Sequence, residues 1–272
     1  MNAAPAAVVP PSGYRPSAAR LAAALDRGAI HTAFQPKVAL ATGALIGVEA
    51  LARWTDDEYG AVPPERFIPV AEQSGLIGRL TLCVLRRSLE TCVQLRRSHP
   101  HATVAVNISP ILLGNRGLPD EISAMLDAAE MAPSALVAEI TETRPVGDPA
   151  CAAEVLSELR LRGVGCAIDD FGTGHANLLT LLRMPFTELK IDRTFISQSS
   201  YVPKAWKIVR ATIRLAQELG LRVVAEGIET GDVEQRLRDE GCDEGQGYRY
   251  GRPMPAAILL ASLGNPGSAI AS

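Results

Sequence analysis

The sequence predicts an α/β fold, a closed (β/α)8 barrel with the first strand antiparallel to the rest. Three observations carry that expectation. Short apolar runs alternate with helix-period segments from residue 64 onward. The first two strands are joined by so few residues that they must form a hairpin, because parallel neighbours need a crossover of a dozen residues or more. Acidic or amide side chains also close one apolar run after another, as they do where barrel strands end on a common active-site face. One hairpin and six helix–strand crossovers supply the strands. An open doubly wound sheet would call for Gly-x-Gly-x-x-Gly after the first strand, and that fingerprint is missing there.

In chain order, a short helix around Ala18 to Arg27 precedes a strand over Ala33 to Leu40, interrupted at Pro36. Ala41-Thr42-Gly43-Ala44 turns the chain into a second strand, Leu45 to Leu51, which places Gln35 roughly opposite Ala50. Helical periodicity covers Pro64 to Gln73 and Gly78 to Arg97, the second with Leu80, Val84, Leu85, Leu89 and Val93 in one stripe. Strand Thr103 to Ile108, helix Pro119 to Glu130 and strand Leu136 to Ile140 follow. Helix Ala150 to Arg162 stops at Gly163 and leads to strand Gly165 to Ile168. Then come a short helix near Asn177 to Arg183, strand Glu188 to Ile191, and helix Pro203 to Leu219 stopped by Gly220. Strand Arg222 to Ala225, helix Asp232 to Asp239 before Gly241, a weak strand near Gln246 to Tyr250 and a segment Pro255 to Leu263 complete the pattern. Residues 1–17, rich in Ala and Pro, read as a disordered lead-in, 18–263 as one barrel domain, and 264–272 as a flexible tail.

Composition narrows the function. With 47% hydrophobic but 4% aromatic residues, the core is aliphatic. The 27 basic and 30 acidic residues leave a net charge of -3 with no single-sign block, so nothing argues for duplex nucleic acid or an anionic membrane as partner. No apolar run approaches membrane-spanning length. Five cysteines without a C-x-x-C pair fit reduced thiols in a cytoplasmic protein better than a disulfide framework.

The chemistry lies at the strand ends. Glu49, Asn107, Glu139, Asp169, Asp170, Lys190, Asp192 and Glu226 close successive strands, and Glu142 and Glu229 lie three residues beyond Glu139 and Glu226. Singly, each has an ordinary reading: a salt-bridged glutamate, a capping asparagine, a paired lysine, an Asp-Asp that starts a turn. Polar groups at one strand end after another are a poor match to that account. Converging carboxylates cannot all stay ionised without cations or protons, and one lysine is too little compensation. The donors are oxygen, with no His or Cys at ligand spacing, so Mg²⁺ or Mn²⁺ is implied rather than zinc. Adjacent Asp169 and Asp170 suit two ions bridged by a shared carboxylate, the usual device for displacement at phosphorus. Glu142 and Glu229, out of phase with their neighbours, read as loop-holding groups.

The motifs Phe34-Gln35-Pro36, Glu49-Ala50-Leu51-Ala52-Arg53-Trp54, Phe67-Ile68-Pro69-Val70-Ala71-Glu72, Val106-Asn107-Ile108-Ser109 and Glu139-Ile140-Thr141-Glu142 resemble those of EAL-domain cyclic di-GMP phosphodiesterases. So do Asp169-Asp170-Phe171-Gly172-Thr173-Gly174, Lys190-Ile191-Asp192, Ala225-Glu226-Gly227-Ile228-Glu229-Thr230, Gln246-Gly247-Tyr248 and Arg252-Pro253. The resemblance runs in the family's order from about Leu21 to Leu263. It implies a TIM-like barrel with a reversed first strand, and hydrolysis of cyclic di-GMP to 5′-pGpG by water attack on phosphorus assisted by two metals. Glu49, Asn107, Glu139 and Asp169 would hold the first ion; Asp169, Asp170 and Glu226 the second. Lys190 would orient the water, making Lys190, Glu49, Asp169 and Asp170 the catalytic group. Gln35, Leu51, Arg53, Asp170 and Gln246 would contact substrate. Glu142 would anchor the loop Phe171 to Asn177, which in relatives contributes to a homodimer, and an upstream regulatory domain or partner would lie outside this chain. The alternative is a non-catalytic cyclic di-GMP receptor or protein-interaction module, but every ligand position here is filled. Two departures stand out: Lys37, where an aliphatic residue is frequent, and Gly174-His175-Ala176-Asn177-Leu178.

Overall fold

A computed structural model describes residues 11, 13–141, 147–172 and 178–263. Helix α1 (Ala18–Asp26), whose first turn is capped by Ser17 Oγ, leads into the hairpin of β1 (Ile30–Ala39) and β2 (Leu45–Asp56). A short β3 (Gly60–Val62) folds back on the end of β2. There follow α2 (Pro64–Gln73), α3 (Ile77–Leu95), β4 (Thr103–Ile108), α4 (Leu118–Ala128), β5 (Leu136–Thr141), α5 (Pro149–Leu161) and β6 (Gly165–Phe171). Next are α6 (Leu178–Arg183), β7 (Glu188–Ile191), α7 (Arg193–Gln198), α8 (Pro203–Glu218), β8 (Arg222–Ala225), α9 (Gly231–Asp239) and β9 (Glu244–Gln246). β10 (Met254–Pro255) and α10 (Ala256–Leu263) end the described chain.

The strands pair in the order β1-β2-β4-β5-β6-β7-β8-β9, and β9 returns to β1 to close the barrel. β1 is antiparallel to both neighbours, while every other barrel pairing is parallel. The expected fold class is therefore the observed one.

Strand alternation decides what lies inside. Leu136, Ala138 and Ile140 of β5 point outward into the large aliphatic core beneath the helices, together with Phe67, Leu80, Leu85 and Leu89. Val137 points inward, where with Ala105 and Ala167 it forms a small separate cluster on the axis. Small side chains there leave room above and below for polar groups, and both spaces are ionic. Lys190 with Glu49, Glu139, Asp169 and Glu226 occupies the upper one. One strand period lower, Lys37 is 2% exposed and pairs with Glu244 Oε2 at 2.9 Å and Glu188 Oε2 at 3.3 Å. Arg222 closes the group by binding the other oxygen of Glu188. Burial opposes the Lys37 charge, but Glu188, Glu244 and Glu139 outweigh it and hold the ammonium protonated.

Three sequence expectations need correction. Gln35 faces Glu49, not Ala50: the turn closes at Ala39 and Ala44, earlier than expected, which alone would set Gln35 against Val48, and the bulge at Lys37/Val38 moves it on only as far as Glu49. Pro36 does not interrupt β1: it sits between the stretch paired with β10 (Ala33, Phe34) and the stretch paired with β9 (Lys37 to Ala39), where no partner on that edge needs its N–H. The last barrel strand is Glu244–Gln246 rather than Gln246 to Tyr250, because the chain turns away at Gly247. There the Ile228 backbone lies so close that a Cβ would collide with it, and Tyr250 N–H donates to Gly247 O at 3.0 Å. β3, α7 and β10 were not foreseen. Of the expected lead-in, residues 1–10 and 12 lie outside the described residues, as do 264–272, while Tyr14 packs its ring against Tyr59 at 4.3 Å. No helix among the described residues is long and apolar enough to cross a membrane.

Lys37→Met should leave buried carboxylates uncompensated and cost about 3–5 kcal/mol in urea unfolding. Adding Glu244→Gln should recover part of that loss. A Lys37→Met protein as stable as the parent would contradict this account of the lower layer.

Candidate active site

Each strand-end carboxylate arrives from its own stave, and they meet around one buried ammonium. Lys190 Nζ, on β7, lies 2.7 Å from Glu226 Oε1, 2.9 Å from Asp169 Oδ1, 3.0 Å from Glu139 Oε2 and 3.8 Å from Glu49 Oε2. Glu49, on β2, is held from both sides: Asn107 Nδ2 donates to Oε1 at 3.0 Å and Gln246 Nε2 to Oε2 at 2.5 Å. Gln246 Nε2 also reaches Gln35 Oε1 at 3.0 Å, and Gln35 Nε2 donates to Gly251 O at 3.1 Å. Gln246 Nε2 reaches both side chains because Gln35 and Glu49 are paired directly across the hairpin.

Adjacent residues of a regular strand face opposite sides, so Asp169 and Asp170 need a local break to share one site. β6 provides it. Its register with β7 shifts between Ile168 and Phe171, and Asp170 has φ +55°, a left-handed conformation uncommon for a residue with a side chain. Asp170 N–H then donates to Asp169 Oδ1 at 3.0 Å.

The electrostatics divide the cluster. Burial works against the Glu49 carboxylate, yet Lys190 and the donors on Gln246 and Asn107 hold its pKa below the ordinary value. Glu139 is pushed well above the ordinary range by burial and by the charges of Glu49 and Asp169. Asp169 is raised as well, chiefly by burial. Burial with Asp169 and Asp192 nearby brings Asp170 to about 7, and burial with Asp169 and Glu49 brings Glu226 to about 8. Lys190 is held protonated far above 10.5, because the surrounding carboxylates outweigh the burial of its charge.

The raised carboxyls follow from one lysine facing too many acids. Two oxygen triads have the spacing to bind cations: Glu49, Glu139 and Asp169, and Asp169, Asp170 and Glu226, the atoms in each within 4.8 Å of one another. Asp169 belongs to both. With Asn107 the donors remain all oxygen, the chemistry of hard divalent ions. Gln246 Oε1, buried and without a protein partner, adds one more unused acceptor.

The cluster forms the floor of a cavity of about 660 Å³. Gln35, Leu51, Arg53, Asp170 and Gln246 all line it; Glu139 and Lys190 lie beneath. Glu142 and the loop residues 173–177 fall outside the described residues. Asp192 belongs to neither triad but lies beside Asp170, and it caps α7, accepting from Thr194 N–H at 2.9 Å. Sequence reasoning missed Thr141, Arg193, Thr194, Ser197, Tyr248 and Pro253, which also line the cavity, and it set Glu229 aside although Glu229 lines it too. Tyr248 carries the Arg252 guanidinium 4.0 Å above its ring. The Tyr248 signal was present in Gln246-Gly247-Tyr248; nothing in the spacing marks Arg193.

Comparison with known proteins places this geometry. A protein named "Cyclic di-GMP phosphodiesterase RocR" from Pseudomonas aeruginosa is 39% identical over 245 residues, 90% of this chain and 62% of that protein. A second, "Bifunctional diguanylate cyclase/cyclic di-GMP phosphodiesterase MucR" from the same organism, is 41% identical over 244 residues, 88% of this chain and 35% of its own length. This chain thus spans less than two thirds of the length of each of these relatives. A solved structure, "PaMucR Phosphodiesterase, c-di-GMP complex", superposes with a TM-score of 0.81 at 40% identity, covering 89% of this chain and 98% of that one. The family model described as "EAL domain" matches residues 18–253, and the chain belongs to that family.

Proposed function

We propose that this domain is a metal-dependent phosphodiesterase that hydrolyses cyclic di-GMP to linear 5′-pGpG. The carrying observation is the pair of oxygen triads that share Asp169 at the foot of an open cavity. The names of its relatives and the nucleotide in the PaMucR complex support the choice of substrate. A receptor would need the cavity but neither triad, so the complete carboxylate set favours the enzyme over the binding module.

Glu49, Asn107, Glu139 and Asp169 would hold one Mg²⁺ or Mn²⁺, and Asp169, Asp170 and Glu226 the other. Bound divalent ions supply a water nucleophile at neutral pH and neutralise charge on phosphoryl oxygens. The protein's own groups do the rest. Asn107 and Gln246 fix the orientation of Glu49 through its two oxygens. Lys190, already placed among the carboxylates, would direct an N–H at the attacking water, and its charge favours the ionised form of the acids around it. Arg53 on β2 and Arg193 on α7 line the cavity and offer guanidinium forks to phosphate or to a guanine edge. Tyr248, with Arg252 on one face, offers the other to a base. The same reading places the domain in the cytoplasm, where its nucleotide substrate and five free thiols belong.

The first test is chromatography of nucleotide products from protein given cyclic di-GMP with Mg²⁺ or Mn²⁺. Turnover to pGpG is expected, to fall more than about 100-fold in Glu49→Ala and Lys190→Ala, since even outer partners of metal ligands cost 10–100-fold. Tight binding of intact substrate without turnover would favour the receptor. Activity surviving thorough chelation would exclude the metal mechanism.

A second test uses protons. Asp170 and Glu226 sit at about 7 and about 8 instead of 3.8 and 4.5, so without metal the folded state keeps protons that the unfolded chain has released. Stability of the metal-free protein should therefore decline as pH rises from about 4.5 to about 8. Mg²⁺ should restore it most strongly at the upper end. A melting temperature flat across that range, with and without Mg²⁺, would refute the assignment.

The expected homodimer involves the loop after β6, most of which is outside the described residues. We read α6, directly after it, as part of that contact, because Leu178 and Leu182 are 64% and 79% exposed. Sedimentation should show a dimer that Leu182→Lys weakens; a monomer at every concentration would reject it.

A further inference from the structure

Behind Leu51 and Ile68 lies a second, smaller cavity of about 150 Å³, between the end of β2 and helices α2 and α3. Its inner wall is Ala50, Ile77, Leu80, Val84 and Ile108, all buried. Leu51, Arg53, Ile68, Asn107 and Thr141 border both cavities. Folded interiors hold few voids larger than a water molecule, so a space of this size beside a reaction site calls for an occupant. The walls are mostly aliphatic, with the Thr81 and Thr141 hydroxyls among them. Three other polar groups on these walls are engaged within the protein. Ser109 Oγ donates to Glu72 Oε1 at 2.8 Å, Asn107 Nδ2 to Glu49 Oε1 at 3.0 Å, and Arg53 Nη1 to Ala52 O at 2.9 Å. Size then sets the ligand. An apolar cavity of about 150 Å³ stays dry and accepts a benzene-sized molecule, whereas drug-sized ligands need roughly 300 Å³ or more.

We propose that this side cavity binds a small apolar molecule of benzene to indole size, and that its occupation opposes substrate binding. Leu51 and Ile68 stand between the two spaces. When substrate presses on them they yield into the side cavity, and a ligand there removes that freedom. Linkage makes the effect reciprocal: bound substrate weakens the apolar ligand by the same factor. The coupling rests on the cyclic di-GMP reading; the binding does not.

The probe is indole, titrated into the full chain and followed by thermal shift and by NMR, with cyclic di-GMP turnover measured in parallel. Saturable indole binding is expected, with KM for cyclic di-GMP raised at least about fivefold at saturation and kcat unchanged. Val84→Phe, which fills the cavity from α3, should abolish indole binding and its effect on KM. Should that variant fail to fold, Leu80→Ala enlarges the same space and should tighten indole binding. No saturable binding to the parent chain, binding that survives in folded Val84→Phe, binding unaltered in Leu80→Ala, or an unchanged KM at saturation would each overturn the proposal. If cyclic di-GMP is not hydrolysed, indole binding and its response to Val84→Phe still decide whether the cavity is a site, so the two failures are told apart.

Discussion

A single buried ammonium organises the upper half of this barrel. Without Lys190, four carboxylates from four staves would have to be buried within a few ångströms of one another, at a cost that only protonation could relieve. Lys190 lowers that cost without removing it, because Glu139, Asp169, Asp170 and Glu226 still hold protons more tightly than free acids do. The residual imbalance is what suits the cluster to a divalent cation. A fully neutralised group of ion pairs would be a structural plug with little attraction for a divalent ion.

Just such a plug lies one layer below. Lys37 and Arg222 face Glu188 and Glu244, charge for charge, at the foot of the same barrel. The two layers sit on the same strands two residues apart: Glu188 precedes Lys190 and Glu244 precedes Gln246, while Lys37 follows Gln35 because β1 runs the other way. Ala105, Val137 and Ala167 are small enough to let both layers coexist on the axis. The barrel is therefore held from inside largely by charge pairs and from outside by aliphatic packing. Lys37, which looked in the sequence like an isolated departure, is the cation that the lower layer needs.

Much of this was legible before any coordinates. Period-2 and period-3.6 patterning located seven of the eight barrel strands to within a few residues, since burial on one face writes itself into the sequence. Glu49, Asn107, Glu139, Asp169 and Glu226 could be anticipated because each ends an apolar run. What stayed hidden depends on contacts that local pattern does not encode. The hairpin register turned on where the turn closes, the last strand on the close approach of Ile228 to Gly247, and the joint orientation of Asp169 and Asp170 on a left-handed residue. Arg193 gave no warning either, because a cation on a short helix is ordinary until its neighbours in space are known. The lower layer was invisible for the same reason: Glu188, Arg222 and Glu244 open their strands, where a charge usually means solvent.

The reversed direction of β1 has an architectural consequence. In an all-parallel barrel the chain enters the first strand at the face opposite the reaction. Here β1 begins at the reaction face, with Ile30 paired to Trp54 beyond Glu49 and Arg53. Helix α1 is fastened at that same end, where Arg20 grips Asp56 through paired contacts of 2.6 and 2.7 Å. Polypeptide joined ahead of α1 is thus delivered to the mouth of the barrel instead of its base, and a movement there need travel only through α1 and the tip of β2 to reach the wall that carries Leu51 and Arg53.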